Sequence, residues 1–275
     1  MSDITLKTEY DARPIGVFDS GFGGASTLRN ILRLLPNERF IYFGDNANAP
    51  YGDKREDEIL ALSEAAADLL LHKGVKALVV ACNTATSASI NALRRKLDVP
   101  VVSVEPAIKP ACETPGEGCV LMLATVATTK LARYKALQAR MREPERVINV
   151  GCSGLVELIE SGSALEEDIL RLLEEKLAPF EGKKVDGIVL GCTHYPLIAP
   201  VFERYARAHF KGACRLYDGN EGTARQLRRV LRANGLEADP MATPPENRVS
   251  FFTSGDEGSL EPIFRRLLET PIYEQ

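Results

Sequence analysis

Gly74-Val-Lys-Ala-Leu-Val-Val-Ala-Cys82-Asn-Thr84 is an apolar run ending in a cysteine and two hydrogen-bonding residues, and Lys184-Val-Asp-Gly-Ile-Val-Leu-Gly-Cys192-Thr-His194 repeats the pattern 110 residues later. The runs Ala77 to Ala81 and Gly187 to Leu190 are rich in Val, Ile and Leu and do not alternate with polar residues. A strand of that kind is buried on both faces, as in a parallel sheet covered by helices. Each cysteine falls just past the carboxyl end of its strand. Open α/β sheets bind ligands at that edge, so the duplicated unit predicts two thiols facing one cleft from opposite sides. Opposed thiols suit proton exchange at carbon.

Outward from these two strands, strand and helix patterns alternate from Ile15 to Leu268. Strands are expected at 15–18, 39–44, 76–81, 100–104, 119–124, 146–150, 186–190, 214–217 and 249–253. Helical periods cover Ile59 to Lys73, Lys130 to Met141, Glu166 to Leu177 and Thr223 to Ala233. Repeated βα units predict mostly parallel sheets flanked by helices. The expected fold is α/β, with two similar three-layer domains and the active site in the cleft between them. Residues 14–104 with 214–275 would form the first domain and 105–213 the second, the chain crossing near Glu105-Pro106 and near Phe210 to Ala213. Unusual polar residues cluster where strands end, at Asp19-Ser20, Asp45-Asn46, Cys82-Asn83-Thr84, Thr125, Cys152-Ser153, Cys192-Thr193-His194 and Asp218. The loop Glu237 to Asn247 reads as a surface excursion.

With 275 residues, 45% apolar and 26% charged, the composition is that of a soluble globular protein. Net charge is −4 and no basic tract could follow a phosphate backbone, so no nucleic acid partner is expected. No stretch approaches a membrane span, and Met1 to Arg13 lacks the regions of a secretory signal. Six cysteines without a tight framework read as free thiols in a reducing compartment, the cytoplasm.

Gly21-Phe-Gly23-Gly24 lies between a strand and a helix, but Ser26 stands where the dinucleotide fingerprint needs its third glycine. The segment is either a structural turn or a backbone site for a small anion such as a carboxylate. Asp19 is either a helix cap or a helper of a general base. Cys112, Cys119, Cys152 and Cys214 read as small packing residues. Cys82 and Cys192 differ, because polar pairs follow both in corresponding places and a helix N-terminus after each would lower the thiol pKa. His194 is placed to protonate, to pair with a thiolate or to bind a carboxylate; His72 and His209 read as surface residues. Cys82, Cys192 and His194 lack the close pairing of zinc ligands, so no metal is expected.

These residues resemble the glutamate racemase family, within the cofactor-independent aspartate/glutamate racemase superfamily. Gly16-Val-Phe-Asp-Ser-Gly-Phe-Gly-Gly24, Tyr42-Phe-Gly-Asp45 with Ala49-Pro-Tyr-Gly52, Ala81-Cys-Asn-Thr-Ala85 and Gly191-Cys-Thr-His-Tyr-Pro-Leu197 are similar to its four signature segments, in order. Weaker similarity runs through Thr125 to Tyr134, Val156 to Gly162 and Asp218 to Ala224. The resemblance implies interconversion of L- and D-glutamate without a cofactor, supplying D-glutamate for peptidoglycan, by a homodimer. It makes Cys82 and Cys192 the catalytic thiols, Cys82 deprotonating D-glutamate and Cys192 L-glutamate, assisted by Asp19, Glu160 and His194. It assigns substrate binding to Asp19, Ser20, Tyr51, Gly52, Asn83, Thr84, Thr193 and His194. The chain departs from the family at Asn46 and Asn48, in a segment that often reads Asp-Thr-Ala-Arg. Leu131 replaces a common serine, Ala124 a common glycine and Glu157 a common proline. A sibling acting on aspartate, and a ligand-binding protein whose cysteines only pack, are the competing readings.

Overall fold

The computed structural model describes residues 10–161, 165–242 and 246–269. Residues 1–9, 162–164, 243–245 of the proline-bearing loop and 270–275 at the end of the expected first domain lie outside the described residues.

Strand and helix alternate as β1 (Ile15–Asp19), α1 (Gly24–Leu34), β2 (Phe40–Gly44), α2 (Glu56–His72), β3 (Ala77–Val80), α3 (Asn83–Lys96) and β4 (Val101–Ser103). There follow α4 (Ile108–Glu113), β5 (Cys119–Ala124), α5 (Val126–Lys130), α6 (Ala132–Gln138), β6 (Val147–Gly151), α7 (Leu155–Glu160), α8 (Glu166–Leu177) and β7 (Val185–Leu190). The chain continues through α9 (Ala199–His209), β8 (Arg215–Tyr217), α10 (Asn220–Ala233), β9 (Val249–Thr253) and α11 (Glu257–Glu269). Each expected strand is present, and the strands form two parallel sheets, ordered β4-β3-β1-β2-β9 and β6-β5-β7-β8. Because side chains alternate across a strand, Val17 and Val79 enter one apolar cluster while Phe18, Leu78 and Val80 enter the cluster on the opposite face. Helices cover both faces. Helix α1 buries Ala25, Leu28 and Ile31, and α10 buries Ala224, Leu227 and Leu231, the three- and four-residue spacing of one helical stripe. The first cluster continues without a break into Leu121, Ile188, Leu190 and Tyr195 of the second sheet's layers.

Three local expectations change. The helix expected over Lys130 to Met141 is shorter, running from Ala132 to Gln138, because Leu131 takes an extended backbone (ψ 139°) that separates α6 from α5, which ends at Lys130. That break lets α5 and α6 meet different neighbours: Thr128 turns to Thr84, while the Tyr134 hydroxyl reaches Asn149. Leu131 is the N-cap of α6 and supplies no capping hydrogen bond, so burial of its side chain takes the place of the cap a serine would make. The strand at 215–217 pairs with β7, so the second sheet extends past residue 214, where the sequence placed the return to the first domain. Finally, a 3₁₀ turn over Tyr195–Ile198 separates Cys192 from α9, so an α-helix N-terminus follows Cys82 but not Cys192. No helix among the described residues is long and apolar enough to cross a membrane.

Candidate active site

The carboxyl ends of β1 and β3 build one wall. Cys82 is the N-cap of α3; its Sγ accepts the Ala85 N–H at 3.4 Å and lies 3.4 Å from Ser20 Oγ. Burial pushes its thiol up to about 12, and the charge of Asp19 adds to the rise; the Ala85 N–H and Ser20 hydroxyl pull the other way. The sequence expectation that a helix N-terminus lowers this thiol therefore fails for Cys82. Removing a thiolate from water outweighs the N–H and hydroxyl that face it.

The ends of β6 and β7 build the other wall. Cys192 Sγ lies 3.7 Å from His194 Nδ1, and His194 Nε2 lies 2.7 Å from Glu160 Oε1, on the last residue of α7. Burial alone would lower the His194 pKa, but the hydrogen bonds and charges of Cys192 and Glu160 raise it well above the ordinary value. Burial would raise Glu160, yet His194 holds it below the usual carboxylate range. Of the two nearby carboxylates, Glu160 reaches the imidazole, and Glu157 is exposed. Of the roles open to His194, the geometry favours pairing with the thiol.

The walls are stitched together. Asp19 Oδ1 accepts the Thr193 hydroxyl at 3.0 Å and Oδ2 accepts the Gly21 N–H at 2.9 Å, so Asp19 bridges the sheets and does not cap α1, which starts at Gly24 behind an N-cap of Gly23. Phe22 donates its N–H to Glu160 Oε1 at 3.2 Å. Backbone donors of the glycine-rich turn thus hold the protein's own carboxylates. The Thr84 hydroxyl meets those of Thr125 at 2.9 Å and Thr128 at 3.0 Å, joining α3 to the β5–α5 corner. A Cβ on Gly52 would come within 2.8 Å of Thr125 Cβ, so the backbone there packs against the same corner. Tyr51 gives its hydroxyl to Asp45 Oδ2 at 2.6 Å. Asn48 Nδ2 donates to Asp45 Oδ1 at 2.9 Å, an amide where an arginine is common. Asn83 Oδ1 is buried and has no hydrogen-bond partner among the described residues.

The sequence-predicted residues Asp19, Ser20, Cys82, Asn83, Thr84, Glu160, Cys192, Thr193 and His194 converge here. Thr128, Ser26 and Asp45 were not singled out as site residues. Thr128 looks like any polar residue of a short helix, and only the Thr125-to-Thr128 capping spacing hints at it. Among the described residues, no group of three His, Cys, Asp or Glu side chains is arranged to hold a metal ion. Chemically, the site sets a buried thiol that faces a hydroxyl and a backbone N–H against a second thiol beside an imidazole–carboxylate pair.

The sequence pattern of the Asp/Glu/hydantoin racemase family matches residues 15–227. The chain is 40% identical over 265 residues to a glutamate racemase of Clostridium perfringens, covering 96% of this chain and 99% of that protein. Its fold is similar to the crystal structure of glutamate racemase from Francisella tularensis in complex with D-glutamate, with TM-score 0.79, 28% identity and 96% of each chain covered. It is also similar to Escherichia coli glutamate racemase in complex with L-glutamate and the activator UDP-MurNAc-ala, with TM-score 0.76 and 32% identity over 93% of this chain and 95% of that one.

Proposed function

The chain belongs to the Asp/Glu/hydantoin racemase family and is an amino-acid racemase, and from that premise we propose that it interconverts L- and D-glutamate without a cofactor through Cys82 and Cys192. The observation that carries the proposal is the unlike surroundings of the two thiols, Cys82 facing the Ser20 hydroxyl and the Ala85 N–H and Cys192 beside the His194–Glu160 pair.

An amino-acid α-proton is very weakly acidic, so one group must take it while another is ready to return one on the opposite face. With L-glutamate as substrate, Cys192 is the base and His194, 3.7 Å from its sulfur, is its partner. Cys192 takes the α-proton of L-glutamate; Cys82 delivers its own proton to the other face, and D-glutamate leaves. The two sulfurs have then exchanged states, and the Ala85 N–H and Ser20 hydroxyl stabilise the Cys82 thiolate for the reverse reaction. The hydroxyls of Thr84, Thr125 and Thr128 would hold a carboxylate, and the unpartnered Asn83 oxygen would accept from the substrate ammonium. Such fixed dipoles offset the charge developing at Cα. Asp19 and Thr193 fix the separation of the two walls.

By the same resemblance the enzyme works as a cytoplasmic homodimer that supplies D-glutamate for peptidoglycan. Its six cysteines are all free, which suits a reducing compartment.

The test is incubation of the protein, with no added cofactor, with D-glutamate and with D-aspartate in D₂O, following optical rotation and α-proton loss. Glutamate racemisation that Cys82→Ala and Cys192→Ala each reduce by at least about 1,000-fold, with the fold kept by circular dichroism, supports the reading. Turnover of aspartate alone would change the substrate. Exchange with neither would leave a ligand-binding protein, and full turnover by either variant would remove the two-thiol scheme.

A further inference from the structure

We infer that Ser26 is a positioning residue for Cys192, holding that thiol in register with the opposing one from across the cleft. The inference rests on the two-thiol reading above. Ser26 lies in the first turn of α1, is buried, and places its Oγ 2.8 Å from the carbonyl oxygen of Thr193, the residue between Cys192 and His194. The same Oγ is 2.8 Å from the Gly23 carbonyl, the local acceptor a helical serine ordinarily uses. One hydroxyl carries one proton. The Gly23 carbonyl already accepts the Ser26 N–H at 3.0 Å, so the proton does more for the Thr193 carbonyl. Thr193 is then gripped twice from the first sheet's layers, at its hydroxyl by Asp19 and at its carbonyl by Ser26.

Close contact reinforces the grip. A Cβ on Gly23 would lie 2.5 Å from both His194 Nδ1 and Thr193 Oγ1, so α1 presses on the Cys192-Thr193-His194 turn with no slack. Cys82 has a separate anchor, the N-terminus of α3 and Ser20. Ser26 is also where the dinucleotide fingerprint fails, and a glycine there would leave the Thr193 carbonyl unheld.

Loosening Ser26 should therefore displace one thiol and spare the other. The two enantiomers have equal free energy in water, so kcat/KM is equal in both directions for every variant and cannot tell which thiol moved. Partitioning of the carbanion can. From D-glutamate, Cys82 removes the α-proton; if Cys192 is out of place, Cys82 returns a solvent-exchanged deuteron and D-glutamate is recovered labelled. From L-glutamate, removal by Cys192 is slowed, but Cys82 then completes each inversion.

The experiment measures α-deuteration of the unreacted enantiomer against inversion, in D₂O, for wild type, Ser26→Ala and Ser26→Thr. For Ser26→Ala the ratio should rise about tenfold from D-glutamate and fall by a similar factor from L-glutamate, because one carbanion partitions between the same two thiols. Ser26→Thr, which keeps the hydroxyl, should restore both. If Ser26→Ala does not fold, Ser26→Cys keeps the volume with a poorer donor and should show the same opposed changes. Ratios that stay unchanged, or rise equally from both enantiomers, would overturn the inference even if the rates fall. A wild-type protein that exchanges nothing is seen before any substitution, and would remove the two-thiol reading together with this inference.

Discussion

His194 is buried between a thiol and a carboxylate, and its ionisation decides whether Cys192 has a cationic partner. Burial alone would lower its pKa, but the hydrogen bonds and charges of Cys192 and Glu160 raise it above the ordinary 6.5. A raised histidine contributes stability that is complete below its unfolded value and is lost as pH rises through the folded one. Glu160, lowered from 4.5, contributes stability that is complete above its unfolded value and is lost as pH falls through its depressed folded one. Both contributions are therefore complete between about 4.5 and 6.5, and the alkaline side decays only once the raised His194 value is reached. Glu160→Gln removes an anion that holds the imidazolium. The His194 titration followed by NMR should then move to lower pH, and kcat/KM should fall on the order of 100-fold, more at pH 8 than at pH 6. A His194 titration that does not move would show that Glu160 leaves the imidazole's charge alone.

At the scale of elements, α1 and α3 start beside the thiols, and the fit of α1 to the opposite wall depends on missing side chains. Gly23 has an ordinary right-handed helical backbone, so its glycine is explained by close approach. Gly23→Ala should lower kcat/KM about 10- to 100-fold while the protein stays folded, since the added methyl displaces Thr193 and His194. Gly222, exposed in α10 with nothing near its absent Cβ, is the control. Gly222→Ala should leave kinetics alone and add about 0.5–1 kcal/mol, a rise of roughly 1–2 °C in Tm. Equal kinetic effects of the two substitutions would mean that close approach is not what Gly23 provides. Such contacts mark the limit of what the sequence carries. The strands are legible because burial on both faces writes continuous Val, Ile and Leu runs, and the two thiols stand out because their strands are written alike. The break at Leu131 falls at the start of the expected helical period and leaves no mark in its spacing, while Thr128 before it and Tyr134 after it meet different neighbours. The Glu160–His194 and Thr84–Thr125 contacts join residues far apart in the chain, and no local pattern encodes the folding that brings them together.

Over the whole molecule, the site occupies the carboxyl edge of the sheets, while a different device secures the amino edge of the first one. Lys76 and Glu38 form a buried pair at 2.6 Å, their side chains 0% and 5% exposed. Lys76 Nζ also donates to the Asp11 carbonyl at 2.6 Å, Glu38 Oε1 accepts the Ala238 N–H at 2.8 Å, and Asp11 donates its N–H to Glu237. Four distant segments of the chain meet at this one ion pair. A buried pair gains little over an apolar replacement of both members, but removing one member strands a charge at a cost of about 3–5 kcal/mol. Lys76→Met should destabilise the protein by about that amount in urea, and adding Glu38→Gln should recover part of the loss. Cys82 follows Lys76 by six positions along and just past β3, roughly 20 Å, and no hydrogen bond described above links this knot to the thiols. Racemisation per folded molecule at 25 °C should therefore match wild type in both variants. If Lys76→Met instead slowed the folded enzyme by more than about tenfold, the two edges would be coupled through β3, and the register of Cys82 would depend on how the far end of its strand is held.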